Sequence, residues 1–147
     1  MKLFSFLILL AAFLQTSLIP LNLCLILLIS RAYTNHSKQN YFLAFFAGIF
    51  LGFLAPYNIG FWPLTFLVAV FIVHVFRLLP ISGRFLTIIP VAFIILTAVS
   101  LLESLAFHTP FLWLYPVISS LLTLPIFIVV HQWEDRFIIK PAVKLKM

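Results

Sequence analysis

Apolar sequence in this chain comes in blocks long enough to be whole helices, with little more than turns between them. Tyr41 to Ala55, Phe61 to Leu79, Phe85 to Phe107 and Phe111 to Trp133 are separated by Pro56-Tyr57-Asn58-Ile59-Gly60, by Pro80 to Arg84 and by His108-Thr109-Pro110. Pro, Asn and Gly punctuate helices, so these short segments read as turns. The blocks do not alternate polar with apolar residues as the strands of a membrane barrel do; Tyr41-Phe42-Leu43-Ala44-Phe45-Phe46 is continuously apolar.

Composition settles the class. Charged residues make up 8% of the 147 positions, against about 25% in a soluble domain, and 65% are hydrophobic. Nine basic and three acidic side chains could not cover a globular surface of this size. An ordinary soluble enzyme, a disordered tail and a nucleic-acid-binding domain are excluded. An all-α polytopic membrane protein is expected, one transmembrane domain over residues 1–147 with a short basic tail over 134–147.

The amino-terminal third divides less clearly. Leu3 to Leu14 follows Lys2 and could be a signal peptide, but no small-x-small cleavage pattern follows and more apolar sequence does. It reads as a retained first span. Gln15-Thr16-Ser17, Pro20 and Asn22 interrupt the apolar run Leu3–Ser30. A span needs about 20 residues, so one helix here would be long and two would be short. Six spans are expected, with five as the alternative. The segment Arg31 to Asn40 reads as a polar loop, Pro63 falls in the first turn of a span, Pro90 predicts a kink near the start of its span, and Pro116 and Pro125 lie inside the last one.

Orientation follows from the basic residues. With six spans, Lys2, Arg31, Lys38, Arg77, Arg84, Arg136, Lys140, Lys144 and Lys146 all fall on one side, and the turns near Pro20, Pro56 and Pro110 carry none. Both termini are then expected to be cytoplasmic. With five spans only Lys2 changes sides. Arg31, Lys38, Arg77, Arg84, Arg136 and Lys140 read as cytoplasmic anchors.

Few residues invite chemistry. Ala44, Gly48 and Gly52 recur every fourth position and make a groove on one helix face, where small side chains let helices approach closely in lipid. The groove serves packing within the bundle or contact with another chain. Glu103 is the one acidic residue inside an apolar span; such carboxylates face a partner or a cavity, or reach the interface when near a helix end. His74 suits a hydrogen bond within the bundle better than a proton site. His36, His108 and His131 share no metal-ligand spacing with it. Cys24 is the only cysteine and packs as a small hydrophobe. No nucleophile-base pair, phosphate loop or zinc motif occurs, so no enzymatic activity and no cofactor are expected.

Several of these residues together resemble a known family. Leu14-Gln15 closes the first span and Pro20-Leu21-Asn22-Leu23 opens the second. Gly48-Ile49-Phe50-Leu51-Gly52-Phe53 is followed eight residues after Gly52 by Gly60, and Leu124-Pro125-Ile126-Phe127 leads into His131 to Phe137. In order, spacing and size this is similar to the bacterial rod shape-determining protein MreD family over nearly the whole chain. One departure stands out: where the family typically carries an Asp before its second glycine, this chain has Gly52.

The resemblance implies a non-enzymatic membrane scaffold of the cell-elongation, peptidoglycan-synthesising machinery. It implies a bitopic MreC-like partner and, through it, MreB filaments and the RodA/penicillin-binding transpeptidase complex. Gly60 and the Ala44/Gly48/Gly52 face would be contact candidates. The family also resembles in fold the S subunits of energy-coupling-factor transporters, which supplies the alternative of a small-molecule-binding transport subunit. Such a subunit should bring polar side chains together from its outer turns, where this sequence offers Asn22, Tyr57, Asn58, Glu103 and His108.

Overall fold

In the computed structural model the chain is a bundle of six α-helices, with no strand among the described residues, which are 2–17, 21–35, 37–54, 60–78 and 87–137. The helices are α1 (Lys2–Ser17), α2 (Leu23–Thr34), α3 (Gln39–Leu54), α4 (Phe61–Arg77), α5 (Ile88–Phe107) and α6 (Leu114–Phe137). The long apolar run at the amino terminus is thus two helices. The expected breaks at Pro20, at Pro56–Ile59 and at Pro80–Arg84 lie outside the described residues, as do His36 and the tail lysines Lys140, Lys144 and Lys146.

The core is built around α2. It packs against all five other helices, and Cys24, Leu25, Ile26, Leu28, Ile29 and Ala32 are buried along it. Its 12 residues reach only about 18 Å at 1.5 Å per residue, short of a hydrocarbon core of about 30 Å. A helix encased in other helices need not match that thickness. α5 and α6, at 20 and 24 residues, are long and apolar enough to cross a bilayer, while the other four are shorter.

The α3 face is the pattern of a packed helix. Asn40, Leu43, Ala44, Ala47, Gly48, Leu51 and Gly52 are buried, the three- and four-residue spacing of a single stripe. That stripe meets the start of α4. A Cβ built on Gly48 would stand 2.4 Å from the Pro63 Cα and 2.8 Å from the Trp62 carbonyl carbon. Only glycine allows this approach. At Gly48 the groove is therefore filled by the chain's own α4. Gly60 differs: nothing lies within 4 Å of where its Cβ would be, so it makes no close helix contact.

Proline placement is regular. Pro63, Pro90 and Pro116 are each the third residue of their helix, where the missing N–H has no intrahelical partner to lose. Pro90 opens α5 rather than kinking it, and Pro116 sits in a first turn because α6 begins at Leu114 and not at Phe111. Pro125 alone is interior.

Two helices run on into segments expected to be polar loop and tail. α2 continues through Arg31 to Thr34, and α6 continues past Glu134 to Phe137. Polar residues were read as helix ends there, but they face each other across the bundle. More broadly, Phe42, Phe46, Phe53, Phe71, Leu105 and Leu121 are exposed while Ser30, Arg31, Asn40, His74, Thr123 and Glu134 are buried. Large apolar side chains outside and polar ones inside suit an apolar surrounding.

Candidate functional site

Polar contacts gather at the two ends of the bundle. One end joins the last turn of α1, the first of α2, the last turns of α5 and the first turns of α6. Glu103, four residues before the end of α5, accepts a hydrogen bond from Asn22 Nδ2 at 3.0 Å. Asn22 Oδ1 in turn accepts one from Gln15 Nε2 at 2.8 Å, and Gln15 Oε1 accepts the Cys24 backbone N–H at 3.2 Å. Gln15 and Asn22, which break the apolar pattern, are what this chain of bonds needs: an amide on each side of the α1–α2 turn. The carboxylate is oriented by a neutral partner that is itself held in place.

The same carboxylate lines a half-open pocket of about 320 Å³, together with Asn22, Ser100, Phe111, Tyr115 and Ser119. Helical spacing explains the lining: Ser100 and Glu103 are three apart on α5, and Tyr115 and Ser119 four apart on α6, so each pair shares a face. Ser104 Oγ donates to the Thr109 carbonyl at 2.7 Å, and His108 takes a left-handed conformation (φ 54°) as α5 ends. Together they turn the chain sharply toward α6.

At the opposite end, Arg31 and Glu134 form a buried ion pair. Arg31 Nε lies 3.5 Å from Glu134 Oε1, with side chains 6% and 10% exposed. The guanidinium also sits over the Phe4 ring at 4.3 Å. Arg31 is not the loop anchor expected of it; it ties α2 to α6 and α1. Nearby, His74 Nδ1 and the Tyr41 hydroxyl are 3.0 Å apart, Asn40 donates to the Asn35 carbonyl at 2.6 Å, Tyr33 meets Thr87, and the His131 ring stacks on Phe127. Lys38 and Arg136 are exposed at this end, and Arg77 closes α4.

The structure thus brings Glu103 and Asn22 together, and leaves His74 and the α3 glycines in separate packing roles. Sequence reasoning missed Gln15, Ser100, Tyr115 and Ser119. Their shared helix faces were a usable signal. It also missed the Arg31–Glu134 pair, for which no local signal exists, since the partners lie on different helices far apart in the chain. Among the described residues no group of three His, Cys, Asp or Glu could hold a metal ion. A scan against protein-family models, a search of curated proteins and a search of solved structures each find no match to this chain.

Proposed function

We propose that all six helices cross a bacterial inner membrane and that the protein is a non-enzymatic scaffold subunit of the cell-elongation machinery, as its resemblance to the MreD family implies. The observation that carries the membrane reading is the pairing of an apolar exterior with positive charge at one end only: Arg31, Lys38, Arg77 and Arg136 belong to the Arg31–Glu134 end, and no described Lys or Arg lies at the Glu103 end. Positive residues mark the cytoplasmic side, so both termini are inside and the Glu103 pocket opens outward. The ordered Gly48, Gly52, Gly60 and Pro125 spacing carries the elongation reading. An MreC-like bitopic protein is the proposed direct partner, linking the chain to MreB filaments and to the RodA/transpeptidase pair.

Two measurements test this. Cysteine labelling at engineered sites beside each terminus should be blocked from the outside of intact cells; labelling of either terminus from outside would overturn the topology. Conditional depletion in the source cell should round the cells and release the MreC-like protein from co-purification with RodA. Rods of normal width after full depletion would overturn the scaffold role.

A second reading, a small-molecule-binding subunit of a transporter, is favoured by the outward pocket around Glu103. Co-purification with an ATPase module instead of an MreC-like protein would select it.

A further inference from the structure

The Glu103 pocket carries more than either reading requires. Its carboxylate has one described hydrogen-bond partner, the neutral amide of Asn22 at 3.0 Å. Asn22 is itself oriented by Gln15, which donates to its oxygen at 2.8 Å. The described Lys and Arg residues belong to the far end of the bundle, so no described cation answers the negative charge. His108, at the end of α5, is the nearest titratable group along the chain. A carboxylate in an apolar bundle is costly unless something balances it.

The pocket wall adds a second, independent feature. Phe111 and Tyr115 line it beside Glu103, with Ser100 and Ser119. Aromatic faces attract cations, and hydroxyl oxygens accept hydrogen bonds from N–H donors. The volume of about 320 Å³ is at the lower end of what small-molecule sites occupy, about 300–1,000 Å³. Anion, aromatic rings and acceptor hydroxyls around one small half-open space are complementary to an organic ammonium group.

We infer that this pocket is a binding site for a small organic ammonium compound, with Glu103 as its counter-ion, Asn22 and Gln15 positioning that carboxylate, and Phe111 and Tyr115 flanking the cation. The inference is independent of the scaffold reading. It deepens the ligand-binding reading and rests on the proposed topology for the direction of entry, from the outer side.

The full chain in lipid nanodiscs is titrated with choline, with ethanolamine and with 3,3-dimethyl-1-butanol, the uncharged analogue of choline, following melting temperature and tryptophan fluorescence. Saturable stabilisation by at least one amine and none by the alcohol is the expected result. Glu103→Gln keeps the Asn22 contact and should weaken amine binding by about tenfold or more. Ser100→Leu should occlude the site and serves where the first variant folds poorly. If neither amine binds saturably, or if Glu103→Gln and Ser100→Leu both bind as the parent does, the inference is overturned. If the alcohol binds as well as choline, the ammonium specificity is overturned while a neutral-ligand pocket survives. The transporter reading fails separately, through the absence of an ATPase module in co-purification.

Discussion

Glu103 and Glu134 sit near the ends of neighbouring helices, α5 and α6, at opposite ends of the bundle, and the fold treats them differently. Glu134 is enclosed: Arg31 lies beside it as a counter-charge, and Phe4 covers the guanidinium. Glu103 is held by a single amide and faces a half-open pocket. A buried charge with its counter-charge beside it is a structural element, costly to break but with nothing to bind. A charge positioned by a neutral neighbour, beside open space, is available to a ligand. The contrast separates the end of the bundle that holds the fold together from the end that can do something.

The largest expected effect comes from breaking the enclosed pair. Arg31→Met strands Glu134 among apolar side chains and should cost about 3–5 kcal/mol in unfolding free energy, while adding Glu134→Leu should recover much of it. Denaturant titration in mixed micelles measures both. A single variant as stable as the parent would show that the pair is not enclosed as described. Next is the α3–α4 contact. Gly48→Leu places side-chain atoms where the Pro63 backbone stands and should destabilise by about 1–3 kcal/mol or more, with Gly60→Ala as the near-neutral control, since open space surrounds that site. Equal melting temperatures for the two variants would remove the close approach.

Asn22→Leu deprives both Glu103 and Gln15 of their partner and should cost about 1–3 kcal/mol. The smallest effect sharpens the comparison most. Glu103→Gln retains an acceptor for Asn22 and should change stability by under about 1 kcal/mol, whereas Glu134→Gln leaves the Arg31 charge uncompensated and should cost several times as much. Similar losses for the two conservative changes would erase the distinction between the ends.

Much of the helical plan was legible in the sequence. Starts at Phe61 and ends at Phe107 agree with it, because glycine, proline and loss of apolar periodicity act locally. The ends that ran on to Thr34 and Phe137 did so for a nonlocal reason. Polar residues in an apolar sequence look like helix ends unless a partner exists elsewhere, and Arg31 and Glu134 are each other's partner. The glycine stripe was visible by its spacing, but what fills it was not, since spacing fixes a face and not its neighbour.

Composition and the run lengths of apolar residues were enough, by themselves, to determine a helical chain poor in charge, because hydrophobic patterning acts residue by residue. Only the tertiary structure decided that α2 is central, that the α3 groove belongs to α4, that Arg31 is a buried tie rather than a surface anchor, and that Glu103 opens onto a pocket. Each of those depends on which side chains meet across distant helices, and a carboxylate's role is set by the charge and space around it, which no stretch of sequence contains.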